Sequence, residues 1–193
     1  MVAKFSRQDG LTARYTAMME LRGQGEAAKS LLFAGLEHPA WRVRYACLRV
    51  LDHTIVDDGT RRRVLASLND PHRKVRRAAL HLLGCEACKP EGFCGIEGID
   101  LDALYLDMIE HDRSALVRYH AVALFMFKAR LSDTVANRLR RSLGTDTNSR
   151  VRLRIGQALI WPEVYGDGTS RYVDRLDEYN ARVDELLTAT QAA

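Results

Sequence analysis

A Val-Arg pair recurs four times in one apolar setting, within Trp41 to Cys47, Arg73 to Ala79, Ala115 to Ala121 and Arg150 to Ile155. The valines stand at 43, 75, 117 and 151, so the intervals are 32, 42 and 34 residues, close to the size of a two-helix unit. Small or apolar residues follow each valine at plus four (Cys47, Ala79, Ala121, Ile155), plus seven (Val50, Leu82, Leu124, Ala158) and plus eight (Leu51, Leu83, Phe125, Leu159). That spacing draws one buried helical stripe. Five residues before each valine stands His38, Asp70, Asp112 or Asp146, followed in the first two cases by Pro39 or Pro71. This predicts an N-cap with proline at the first helical position. A second apolar stripe precedes each segment, through Leu31, Leu32 and Leu36; Val64, Leu65 and Leu68; Leu101, Leu104, Met108 and Ile109; and Val135, Leu139 and Leu143. Each pair therefore predicts a helical hairpin. A buried Leu or Val contributes only about 1.5 to 3 kcal/mol, so one hairpin cannot offset its own ordering entropy and must lean on neighbours.

With the Asp-Pro, Val-Arg and Ala-Leu arrangement of Asp70 to Leu83 as the closest match, residues 26 to 161 resemble HEAT-type repeats, in particular the bacterial HEAT-like group that includes phycobilin lyase subunits. The resemblance implies an all-α fold, an α-solenoid of stacked hairpins. It also implies that Arg76, Arg118 and Arg152 bond to the acidic turn residues Asp70, Asp112 or Asp146. A single domain over 1–193 is expected, with an N-terminal cap at 1–25 built on Leu11, Tyr15, Met18 and Met19. A C-terminal capping helix at 168–190 is expected from Tyr172, Leu176, Tyr179, Val183, Leu186 and Leu187, with dimerisation as another use of that stripe. Residues Thr188 to Ala193 are expected to fray. The resemblance specifies architecture far more than activity.

At 47% hydrophobic residues with four prolines, the chain can bury a continuous core without disulfides. Its longest wholly apolar run, Ala121 to Phe127, is far short of a membrane span, and no signal-peptide pattern opens the sequence, so a cytoplasmic protein is expected. No P-loop, dinucleotide-binding, zincin or nucleophile-elbow motif is present, and the neighbouring acids Asp57 with Asp58 and Asp184 with Glu185 do not converge on one point. No catalytic residue is assigned.

Charge is uneven: residues 1–84 hold 15 Lys plus Arg against 8 Asp plus Glu, whereas 85–193 hold 14 against 17. Arg42, Tyr45 and Arg49 share one helix face, and Lys74, Arg77 and His81 are their equivalents in the next repeat. The corresponding later residues are Leu116, Tyr119 and Ala123, then Arg150, Leu153 and Gln157, which interrupt the ridge. The leading reading is a non-enzymatic interaction module that presents Arg42, Tyr45, Arg49, Lys74, Arg77 and Tyr119 to a protein partner. Three rivals remain: a merely solvated basic face, nucleic-acid binding of the kind HEAT-like DNA glycosylases show, and the phycobilin-lyase-type accessory role that the resemblance offers. Arg61, Arg62 and Arg63 open a helix against its dipole and are expected to be solvated or to pair with Asp57 and Asp58. Trp41 and Trp161 are expected to pack, as are Cys47 and His120.

One motif breaks the repeat. His81, Cys85, Cys88 and Cys94 form H-x3-C-x2-C-x5-C inside an insertion at 85–99, and this accounts for the long middle interval. Two thiolates at C-x2-C spacing, a third returned by the Pro90-Glu91-Gly92 turn and an imidazole from the preceding helical turn make a tetrahedral zinc inventory. A structural zinc would constrain a segment with no hairpin to bury it. Free or redox-active thiols and an iron–sulfur cluster stay open beside it, with His111 and solvent as rival fourth ligands.

Overall fold

A computed structural model describes residues 19–21, 23–52, 57–84, 96–126, 128, 130–166 and 175–191, and among them the chain is helical with no strand. It divides into two compact units, residues 1–99 and 100–193. In the first, a 3-10 turn at Gly25–Ala28 leads into α1 (Lys29–Leu36), followed by α2 (Trp41–Leu51), α3 (Asp58–Leu65) with a 3-10 extension at Ala66–Asn69, and α4 (Arg73–Gly84). Helix α1 packs on α2, α3 packs on α4, and the two Val-Arg helices α2 and α4 pack on each other. The second unit repeats this with α5 (Leu101–His111), α6 (Ala115–Val122), α7 (Asp133–Thr145) and α8 (Ser149–Tyr165), where α5 pairs with α6, α7 with α8, and α6 with α8. Helix α9 (Leu176–Gln191) then lies on α8.

The predicted stripe is the core. Val43, Val75, Val117 and Val151 are all 0% exposed, and Cys47, Ala79, Ala121 and Ile155 at plus four are equally enclosed. Leu124 is the exception, being only half-buried. Helix α6 stops at Val122, and the amides of Leu124, Phe125 and Met126 bond three residues back, to Ala121, Val122 and Ala123. The tighter winding turns Leu124 aside and leaves Phe125 fully buried.

The expected N-caps need correction. Helices α2, α6 and α8 begin later, with Ala40, Ser114 and Asn148 at the N-cap. His38 and the three aspartates instead close the turn before the helix. His38 Nδ1 accepts the Ala40 N–H at 3.0 Å, while Oδ1 of Asp70, Asp112 and Asp146 accepts the N–H of His72, Ser114 and Asn148 at 2.7, 2.7 and 2.8 Å. Pro39 and Pro71 sit inside those turns rather than at the first helical position. The carboxylates of Asp70 and Asp146 also answer a second demand, from the repeat arginine.

Arg44 donates Nη1 to the carbonyls of His38 and Pro39 in its own turn, at 2.7 and 2.9 Å, and forks Nε and Nη2 onto Asp70 of the following hairpin, at 2.6 and 2.9 Å. Arg118 does the same, with Nη1 on the Asp112 carbonyl at 2.9 Å and the fork on Asp146 at 2.7 and 2.9 Å. Arg76 and Arg152 bond the carbonyls of Asp70 and Asp146 in their own turns, at 2.8 and 2.9 Å. Of the pairings implied by the resemblance, Arg118 with Asp146 is therefore a carboxylate fork and Arg76 and Arg152 make main-chain bonds, while Arg44 was not foreseen. Further ion pairs link Lys29 to Asp57 (2.5 Å), Arg138 to Glu110 (2.6 Å) and Lys128 to Asp102 (2.8 Å).

At the C-terminal end, Tyr179 and Val183 of α9 enter a buried cluster with Ile160, Trp161, Val164 and Tyr165, and Tyr179 Oη donates to the Gln157 carbonyl at 3.0 Å. The helix continues to Gln191, beyond the expected fraying point, and Thr188 and Thr190 each bond a carbonyl four residues back. At the other end Leu21 is buried and Met19 exposed; Leu11, Tyr15, Met18 and Tyr172 lie outside the described residues. No described helix is long and apolar enough to cross a membrane.

Burial pulls the Asp146 carboxyl upward, but the Arg118 fork, the Asn148 N–H and the charges of Arg118 and Arg152 outweigh it and hold its pKa below the usual range. A carboxyl depressed in the folded state stabilises above its unfolded pKa of about 3.9 and stops doing so as pH falls through the lower folded value. Asp146→Asn keeps a turn-closing oxygen and removes the charge. It is expected to cost about 1.5 to 3 kcal/mol in urea unfolding at pH 7, with the gap to the parent protein shrinking below about pH 4. A gap that persisted undiminished into acid would show that charge is not what the fork contributes.

Candidate functional site

Helices α2 and α4 bring most of the predicted surface residues together. Arg42, Tyr45 and Arg49 occupy one face of α2, half-buried, and Lys74 and Arg77 occupy the matching face of α4. The two rows meet at Trp41. Its ring lies against the His72 imidazole at 3.7 Å with only 7° between planes, and Tyr45 meets it edge-on at 6.4 Å. The Arg42 guanidinium carbon and Lys74 Nζ lie 5.1 and 5.3 Å from the Trp41 ring centroid. These are cation–π distances, so the positive groups lie against an aromatic surface and, among the described residues, not against acids.

The electrostatics of this face differ from those of the turns. Arg44, one residue from the ridge, spends its charge on Asp70. None of Arg42, Arg49, Arg73, Lys74 and Arg77 forms an ion pair with a carboxylate among the described residues. Neither α2 nor α4 carries an acidic residue in its first turn, where the helix dipole would favour one. His72 registers the result. Burial, followed by the charges of Lys74, Arg44 and Arg73, depresses its pKa despite the opposing pull of Asp70. Its Nδ1 also accepts the Lys74 N–H at 3.3 Å, which is compatible only with the unprotonated nitrogen.

His72 and Arg73 were not foreseen from the sequence. The signal was present, since Arg73 holds the same register position as Trp41, but it becomes readable only once α2 and α4 are known to lie side by side. Trp41 packs as expected, though against an imidazole at the surface, while Trp161 is buried with Tyr165 at 4.4 Å and Tyr179 at 5.9 Å. Tyr119 belongs to the second unit, where it is half-buried beneath the Arg154 guanidinium at 5.3 Å and beside His120 at 5.6 Å. Its neighbour at the register of Arg77, Leu153, is 42% exposed and uncharged. In the arginine run of α3, Arg62 pairs with Asp58 at 2.9 Å, Arg61 is buried, and Arg63 lies over Phe33 at 5.1 Å. Asp57 instead caps α3 through the Thr60 N–H at 2.7 Å.

Of the proposed zinc ligands, Cys85, Cys88 and Cys94 lie outside the described residues. His81 stands on the last turn of α4 with Nε2 3.2 Å from Oδ2 of the buried Asp52. Among the described residues no three metal-binding side chains converge. Cys47 is fully enclosed, as expected, and burial pushes its thiol up to about 12. A thiol held protonated and out of reach should be inert. Treatment of the native protein with a maleimide at pH 8 is expected to leave Cys47 unlabelled in peptide mass maps, with labelling appearing only after denaturation. Rapid native labelling at this position would contradict its burial.

Compared with known proteins, the chain matches no family model, no curated protein and no solved structure.

Proposed function

We propose that the chain is a HEAT-like interaction module, an α-solenoid of stacked hairpins with no catalytic role, whose α2/α4 ridge docks an acidic segment of a protein partner in the cytoplasm. The observation that carries this reading is the set of five cations, Arg42, Arg49, Arg73, Lys74 and Arg77, that find no carboxylate among the described residues while the neighbouring Arg44 does. Unanswered positive charge beside half-buried Trp41 and Tyr45 offers an acidic partner both attraction and contact area. Nucleic acid is the less favoured partner on two counts. One face of Trp41 is already covered by His72, so it is not an open platform for a base, and the charge pattern lapses at Leu116, Tyr119 and Ala123 rather than continuing as a track.

The direct test is fluorescence polarisation with a labelled Asp/Glu-rich peptide and a single-stranded oligonucleotide of equal net charge. Peptide binding is expected to be lost by roughly tenfold or more on the double substitution Arg42→Ala and Arg77→Ala, a change that leaves the buried forks intact. Its fall with rising salt should be shallower than the oligonucleotide's. Preference for the oligonucleotide would overturn the protein reading.

Zinc at Cys85, Cys88 and Cys94 with His81 is proposed alongside, as a structural ion. A carboxylate behind a ring nitrogen, as Asp52 stands behind His81, is the support that zinc-bound imidazoles commonly have. Elemental analysis of the purified protein is expected to find one zinc per chain, lost together with several degrees of thermal stability in Cys85→Ser. Absence of metal with an unchanged Tm in that variant would end the zinc proposal.

A further inference from the structure

The basic ridge is not uniform along its length. At the level of Tyr45, Arg49 and Arg77 the cations are spread over separate helical turns, whereas Arg42 and Lys74 come from different helices and converge on one indole. Arg73 adds a third charge beside them, close enough to act on His72. Asp70, the carboxylate that acts on His72, is held by the Arg44 fork and the His72 N–H. A single further carboxylate would leave this spot positive. The group that balances it should carry close to two negative charges on one centre and present several acceptor oxygens.

Resting on the protein-partner reading above, we propose that the Trp41–His72 end of the ridge is a phosphate-reading site that takes a phosphorylated serine or threonine of the acidic segment between Arg42, Arg73 and Lys74. The Arg42 guanidinium carbon lies 5.1 Å from the indole centroid, a cation–π contact that narrows the range of the side chain before phosphate arrives while leaving its charge and N–H donors for the ligand. The ammonium of Lys74 supplies a compact charge from the other helix. Arg49, Arg77 and Tyr45 are left to the carboxylates flanking the phosphorylated residue.

His72 makes the site sensitive to pH. The free imidazole is neutral at pH 7, faced by Arg44 and Trp41 from α2, by Arg73 and Lys74 from α4 and by Asp70 from the turn. A phosphate dianion placed among these cations reverses the local field and favours the imidazolium, whose Nδ1 then gives up the Lys74 N–H it accepts in the free protein. Binding therefore takes up a proton, and affinity rises as pH falls from about 8 towards the phosphate's own second pKa of about 6, below which the dianion is lost.

The experiment compares four fluorescein-labelled probes on the whole chain: an Asp/Glu-rich peptide with one central phosphoserine, the same peptide with serine, the same with glutamate, and a single-stranded oligonucleotide. The phosphoserine peptide is expected to bind at least tenfold more tightly than the serine and glutamate peptides at pH 6.5, with the advantage narrowing by pH 8. His72→Asn keeps a side-chain oxygen to accept the Lys74 N–H and is expected to remove the pH dependence of the phosphoserine advantage, read as the ratio of phosphoserine to serine peptide affinity so that a loss common to both peptides cancels. Calorimetry in two buffers of different ionisation enthalpy should report the proton taken up. Equal binding of the phosphoserine and glutamate peptides overturns the phosphate site and leaves the acidic-partner reading standing. Failure of all three peptides overturns both, and tighter binding of the oligonucleotide moves the ridge to nucleic acid. Unchanged pH dependence in His72→Asn removes His72 from the account.

Discussion

The repeat arginine that bridges one turn to the next is the interaction on which the rest of this structure hangs. Arg44 and Arg118 each satisfy two kinds of acceptor, the carbonyls of their own turn and the carboxylate of the following hairpin. The aspartate they reach also closes its turn by accepting a main-chain N–H. One side chain thus fixes the start of its own helix and the placement of the next hairpin, leaving few buried polar groups without a partner. The Asp70 and Asp146 carboxylates are 6% and 4% exposed, and a carboxylate that enclosed needs such a partner.

Much of this was legible in the residues. Val43, Val75, Val117 and Val151 gave the register, and every one is fully enclosed. The helical stripe was equally clear for α9, where Tyr179 and Val183 face the core. What the sequence could not show was the division of labour among arginines, because Arg42, Arg44 and Arg49 look alike in a string and differ only in whether an acid stands within reach. The aspartates misled for a related reason. A residue of that type ahead of an apolar run commonly caps a helix, but here Asp112 and Asp146 stand two positions upstream of the cap and close the turn, and Asp146 also takes an arginine fork. His72 escaped notice because its significance is a contact with Trp41, 31 positions earlier by numbering, that no local pattern encodes.

The same division explains why the ridge reads as a surface for something else. Within the turns, positive charge is matched by design of the fold, down to paired oxygens on paired nitrogens. On the α2/α4 face it is steadied by Trp41 and left electrically open. A fold that neutralises some arginines so fully and leaves their neighbours without a carboxylate among the described residues carries a built-in asymmetry, and beside it burial, followed by the charges of Lys74, Arg44 and Arg73, holds the His72 imidazole below its usual pKa.

The ties between successive hairpins have one more property in common. Lys29 with Asp57, Arg44 with Asp70, Lys128 with Asp102, Arg138 with Glu110 and Arg118 with Asp146 all join residues 26 or 28 positions apart. Each closes a loop only one hairpin long, so the entropic cost of forming it stays small and is much the same wherever it occurs. Ties this local keep contact order low, and within each unit assembly can start at either hairpin and spread to its neighbour without waiting for distant segments to meet.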